Sequence, residues 1–95
     1  MAKKLIISRK AYFDIERIVT FNNTRNQSET YSKKFVKGIF KLFTLLTRQP
    51  LIGKRTNRIN TYLIVWDQFY IFYNFDGEVI VIASVYHQNE DVDMN

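Results

Sequence analysis

The only histidine of this chain, His87, directly follows Tyr86 at the end of the last apolar run, in SVYHQNED at residues 84 to 91. Imidazole is the side chain that most readily exchanges a proton near neutrality, and a neighbouring phenol can supply another. Tyr86 and His87 are therefore the candidate catalytic pair. Lys54, Arg55 and Arg58 form a second group, three cations within five residues, suited to binding phosphate. Groups of these kinds can remove a proton, protonate a leaving group and hold developing negative charge without a metal. A plainer use fits the same residues. His87 would then end a strand, hydrogen-bonded to backbone. Strict alternation would place Ile80, Ile82, Ser84 and Tyr86 on one face and Val79, Val81, Ala83 and Val85 on the other, with Tyr86 in an aromatic layer.

The remaining composition narrows the chemistry. With no cysteine and one histidine, the chain offers no disulfide, no thiolate nucleophile, no Cys-ligated zinc and no His-rich metal site, so neither metal nor cofactor is expected. The 95 residues, 46% apolar and 24% charged, suit one globular domain spanning 1–95. In MAKKLIISRK only Leu5-Ile6-Ile7 is apolar, too short for a signal-peptide core, and no run is long enough to span a bilayer. The expected location is cytoplasmic, without membrane contact.

Charge is divided along the chain. Up to Arg58, fourteen Lys and Arg face only Asp14, Glu16 and Glu29, a local balance of +11. From Ile59 onward there is no basic residue and there are six acidic ones, three of them in an acidic tail at about residues 88–95. Such a division suits a basic surface for an anionic partner, nucleic acid or an acidic protein segment, although solvated helix faces produce it too.

The elements that must position these groups are legible in the periodicity. Lys4-Leu5-Ile6-Ile7 is β-prone, and Ser8 can cap a helix over residues 9 to 22 with Ala11, Ile15, Ile18 and Val19 on one face, Asn22 following. Residues 23 to 27 are polar and turn-prone. Asn26 and Glu29 have the spacing of a capping box for a second helix over 27 to 48, whose stripe is Tyr31, Phe35, Ile39, Phe43 and Leu46, widened by Val36, Phe40 and Leu42. Pro50 stops that helix and Gly53 turns the loop. Three β-branched and aromatic runs follow, broken at Asp67-Gln68 and Asp76-Gly77, the latter a type I′ hairpin signal. The reading is α+β in two layers, β-α-α-β-β-β, a helical hairpin on a mainly antiparallel four-stranded sheet.

ISRKAYFDIERIVTF, SKKFVKGIFKLFTLLTRQPLIGKR and YIFYNFDGEVIVIASVYHQ, in that order, make nearly the whole chain resemble the RelE/ParE superfamily of toxins from bacterial type II toxin-antitoxin systems. The resemblance implies a small toxin silenced by a cognate antitoxin. RelE-like members cut messenger RNA on the ribosome; ParE-like members inhibit DNA gyrase and have no nuclease site. Two departures from the nuclease pattern favour a ParE-like or divergent target. The third strand reads Phe69-Tyr70-Ile71-Phe72-Tyr73 where nucleases carry an arginine in a Tyr-Arg-x-x-Tyr-like pattern, and Gln88-Asn89-Glu90-Asp91 stands where many relatives are Arg-rich. Carboxylates there would repel RNA. The alternatives are a ribosome-dependent endoribonuclease and a binding module without toxicity.

For the partner, Lys33, Lys37 and Lys41 recur at i, i+4, i+8 as a basic stripe opposite the apolar face, suited to an acidic antitoxin segment or nucleic acid, or simply to solvent. Fifteen aromatics exceed what a core of this size readily hides, so Trp66 and Phe69, beside the first hairpin turn, are expected to be exposed for a partner. Oligomeric state is open.

Overall fold

A computed structural model describes residues 1–26 and 29–90, with the side chains of 22–26 left aside. The elements are β1 (Lys4–Ile7), α1 (Arg9–Asn26), α2 (Thr30–Arg48), β2 (Lys54–Arg55), β3 (Thr61–Trp66), β4 (Phe69–Phe75) and β5 (Val79–His87). They form a five-stranded sheet in the order β1-β5-β4-β3-β2, antiparallel except where β1 pairs with β5. The two-layer α+β reading holds. It differs by one strand, because Lys54 and Arg55 pair with Leu63 and Tyr62 instead of remaining in a loop. A two-residue strand is too short for an alternating pattern to reveal.

Ser8 caps α1 as its position suggests: its Oγ accepts the Ala11 N–H at 3.0 Å and donates to Ala83 O at 3.1 Å. The helix then continues beyond the expected stop at residue 22 to Asn26. No Gly or Pro interrupts this stretch, and turn-prone polar residues are only weakly biased against a helix. The capping box is consequently not formed. Asn26 ends α1 rather than starting α2, and the N-cap of α2 is Glu29, which makes no side-chain cap bond. The Asn22 side chain, with Gln27 and Ser28, lies outside the described part.

On the helix-facing side of the sheet, Phe35, Ile39, Leu42, Phe43 and Leu46 from α2 and Ala11 and Ile18 from α1 meet Tyr62, Phe69, Ile71, Tyr73, Ile80, Ile82 and Val85. Burying such side chains is worth about 1.5–3 kcal/mol each. Tyr31 and Phe40, counted in the apolar stripe, point outward, at 39% and 48% exposure. Trp66 and Phe69 correct the expectation of an exposed aromatic pair. Phe69 is 1% exposed and its ring lies 4.7 Å from that of Phe35, while Trp66 packs on Phe35 at 6.0 Å and on Phe69 at 5.8 Å. Space for the indole comes from Gly38: a Cβ there would stand 2.6 Å from the Trp66 ring. The surplus of aromatics is exposed elsewhere, at Tyr12, Phe13 and Phe21 on α1 and at Tyr31 and Phe40 on α2.

The Asp76-Gly77 turn also differs in type. Only Gly77 has positive φ, at 101°, and Asp76 Oδ1 accepts the N–H groups of Glu78 (2.8 Å) and Val79 (2.9 Å). These two bonds hold the Asp76 carboxyl below its ordinary value, the Val79 contribution leading. The result is a three-residue loop built on an Asx turn, not a two-residue type I′ turn.

Candidate functional site

The candidate site originates in an irregularity of β5. Phe72 pairs with Ser84, but the next residue, Tyr73, pairs with Ile82, so Ala83 is an extra residue in the ladder. The bulge reverses the alternation beyond it. Ile80 and Ile82 face the helices, and so do Val85 and His87; Ser84 and Tyr86 face the open side with their partners Phe72 and Tyr70. The two-face assignment from strict alternation fails at this point, and Tyr86 and His87 are placed on opposite faces of the sheet.

The bulge lies where β1 ends. Because β1 reaches only to Ile82, the outer edge of β5 beyond it has no strand neighbour, and α1 takes over. Ser8 N–H donates to Ile82 O at 3.0 Å, Ser8 Oγ to Ala83 O, and the Val85 N–H donates to Asp14 Oδ2 at 3.0 Å. Asp14 is 7% exposed, a buried carboxylate that needs several partners. It has them in Val85, in Lys10 at 2.9 Å and in Arg17 at 3.5 Å.

Lys10 is thereby delivered to the open face. Its Nζ lies 4.4 Å from the centre of the Tyr86 ring, a cation–π contact, and burial, which opposes its charge, is outweighed by the Tyr86 hydroxyl and the Asp14 carboxylate, so it stays above its ordinary value. An ammonium held this way is a fixed cation and a hydrogen-bond donor. Lys10 and Tyr86 line a cleft of about 390 Å³ together with Phe72, Asn74 and Ser84 of the sheet and Thr56, Arg58 and Thr61 of the β2–β3 connection. Two cationic side chains, Lys10 and Arg58, line the cleft.

The sequence-derived candidates separate accordingly. Tyr86 and Arg58 line the same cleft. Arg55 lines an adjoining hollow with Arg58, and Lys54 is exposed on β2 without lining either. His87 is turned away, stacked edge-on against Phe69 at 5.3 Å. Its Nδ1 accepts the Asn89 N–H at 3.1 Å, leaving the proton on Nε2, which faces Gln68 Oε1 at 3.3 Å. Glu90 does not hang over the cleft either: it pairs with Arg17 on α1, the main reason that the Arg17 guanidinium is raised above its ordinary value. Asp91 and the rest of the acidic tail lie outside the described residues. Lys33, Lys37 and Lys41 are exposed along α2 as their spacing suggests, Lys33 with Glu29 at 3.8 Å.

Lys10 and Asp14 were not singled out from the sequence. A signal existed, since an i, i+4 Lys-Asp pair in the first turns after a helix cap can bridge to a neighbouring strand, but nothing local says that this helix flanks an unpaired strand edge. Among the described residues no group of three or more His, Cys, Asp or Glu is arranged to hold a metal, and no helix is long and apolar enough to cross a membrane.

Comparison with known proteins bears on the whole chain. A family model described as ParE toxin of type II toxin-antitoxin system, parDE, matches residues 5–92. No curated protein matches by sequence. Among solved structures, the fold is similar to that in the RelBE2 toxin-antitoxin complex from Mycobacterium tuberculosis, with TM-score 0.70 and 18% identity over 92% of this chain and 99% of that one. It is also similar to a chain of the chromosomal ParDE toxin-antitoxin system from P. aeruginosa, with TM-score 0.73 and 16% identity over 88% and 94%. At such identities the structural likeness speaks for the fold, and the family match across nearly the full length adds the lineage: the chain belongs to the ParE toxin family of type II toxin-antitoxin systems, within the RelE/ParE superfamily.

Proposed function

We propose that the protein is a ParE-like toxin that acts by docking on DNA gyrase and is silenced by a cognate antitoxin. The observation that carries this reading is the separation of the only histidine from the cleft cations. His87 lies on the helix-facing side with both ring nitrogens engaged, whereas Lys10, Arg58 and Tyr86 lie on the open side. Cleavage of RNA without a metal needs a proton acceptor beside the cations, and Lys10, held protonated by its neighbours, does not supply one. The family match favours the same target class. In a supercoiling assay, purified toxin should inhibit gyrase, and addition of its antitoxin should restore activity; full supercoiling at saturating toxin would exclude the reading. The exposed Lys33, Lys37 and Lys41 stripe suits an acidic antitoxin segment.

A second reading, ribosome-dependent messenger RNA cleavage, is favoured by the convergence of Lys10, Arg58 and Tyr86 on one cleft. Tyr86 would be the proton-transfer group and the two cations would hold the phosphate. Ribosome-dependent cleavage by purified protein, abolished by Tyr86→Phe, is its test.

A further inference from the structure

The β2–β3 connection carries the most exposed large apolar side chain of the described protein, Ile59 at 89%. A single exposed isoleucine needs no explanation on a pliant loop, but this loop is firmly built. Thr56 N–H donates to Thr61 O at 3.1 Å and Thr56 Oγ1 to the same oxygen at 3.0 Å. Thr56 Oγ1 in turn accepts the Arg58 N–H at 3.2 Å, and Thr61 N–H donates to Arg58 O at 3.3 Å. Asn60 takes a left-handed φ of 57°, and its carbonyl accepts the Phe75 N–H at 2.9 Å, which ties the tip to β4. An apolar side chain is therefore presented to solvent on a rigid support.

Its surroundings are cationic and amide-bearing. The tip reads Arg55-Thr56-Asn57-Arg58-Ile59-Asn60, with no carboxylate and no aromatic ring in it. It stands as a ridge between two concavities, since Thr56, Asn57, Arg58 and Thr61 line both the open-face cleft and a hollow of about 330 Å³ that also includes Arg55 and Tyr62. Arg and Asn side chains around a fixed apolar wedge are the groups that proteins place in the minor groove of duplex DNA: cations follow the phosphates, amides read the groove floor, and the wedge enters between base steps. Single-stranded RNA would instead call for exposed rings on which bases stack; the tip itself carries none, Tyr62 beside it is 5% exposed, and Phe72 and Tyr86, which line the adjoining cleft, are only partly exposed.

We propose that the β2–β3 tip is a duplex-DNA-binding element, with Ile59 as the wedge and Arg55, Arg58, Asn57 and Asn60 as the groove and phosphate contacts. The inference rests on the geometry of the tip and not on the gyrase reading, because binding to bare duplex is measured with no gyrase present. A toxin that leaves gyrase untouched could still bind DNA, and a gyrase inhibitor without DNA affinity would overturn only this proposal.

The test is fluorescence anisotropy of a short labelled duplex with the intact protein, over roughly 50 to 200 mM salt. Wild type should bind the duplex with an affinity that falls with salt. Arg55→Gln should weaken binding and reduce the slope of log K against log salt by about 1. Ile59→Ser should weaken binding roughly ten- to a hundred-fold while leaving that slope unchanged, as expected for loss of an inserted apolar group. Both positions are exposed, so neither substitution threatens the fold. Absence of duplex binding, tighter binding to single-stranded RNA than to duplex, or binding indifferent to both substitutions but abolished by Lys33→Gln with Lys37→Gln would overturn the proposal.

Discussion

Asp14 on α1 accepts the backbone N–H of Val85 on β5 at 3.0 Å, across 71 positions of sequence. The bond closes the strand edge that β1 leaves open, and the same carboxylate oxygen holds Lys10 at 2.9 Å, so one buried group ends the sheet and aims a cation at the cleft. Asp14→Ala should lower unfolding free energy by about 1–3 kcal/mol, because it strands a buried N–H. Urea denaturation is the measurement. Asp14→Asn, which keeps an acceptor of the same shape, should lose less.

The contact of Gly38 with Trp66 decides a sign. Alanine in place of an exposed helix-interior glycine ordinarily adds stability of up to about 1 kcal/mol. Here the new methyl meets the indole at 2.6 Å. Gly38→Ala should therefore destabilise by about 1–3 kcal/mol, and pairing it with Trp66→Phe should recover part of the loss. A double-mutant cycle in thermal unfolding checks the coupling.

Tyr73 is fully buried, donates to Pro50 O at 2.7 Å and accepts the Gly53 N–H at 3.0 Å. Burial pushes its phenol above the ordinary value, with the Gly53 N–H opposing. Tyr73→Phe should cost about 1–3 kcal/mol and accelerate hydrogen exchange at the Gly53 amide, since the loop after α2 loses its anchor.

Asp76 supplies a pH dependence on the acid side. Its folded carboxyl is depressed by the Val79 and Glu78 N–H groups. Its contribution is fully present above its unfolded value of about 3.9 and is lost as pH falls through the lower folded value. Urea midpoints followed from neutral to acid pH should fall less steeply in Asp76→Ala than in wild type below about pH 4.

His87→Ala should leave toxicity in a growth assay unchanged, whereas Lys10→Gln with Arg58→Gln should alter any activity that uses the cleft. Loss of toxicity on removing His87 alone would mean that the helix-facing side of β5 carries function.

Periodicity alone was enough for the two helices, the Ser8 cap, the stop at Pro50 and the three aromatic strands, because each depends on contacts within a few residues or on one face being apolar. The family was legible through the resemblance of three ordered segments of the sequence, not through periodicity. The partition of the site was a different matter. Alternation counts faces correctly only while the ladder is regular, and the bulge at Ala83 is a property of β5 against β4, invisible in either strand alone. That one extra residue put Tyr86 with Lys10 and turned His87 toward Phe69. Likewise, the composition showed many rings but not where they would fit: Gly38 makes room for Trp66 only once α2 lies on the sheet. Local chemistry is written in neighbouring residues, whereas the face a side chain occupies is set by long-range register, which only the assembled sheet decides.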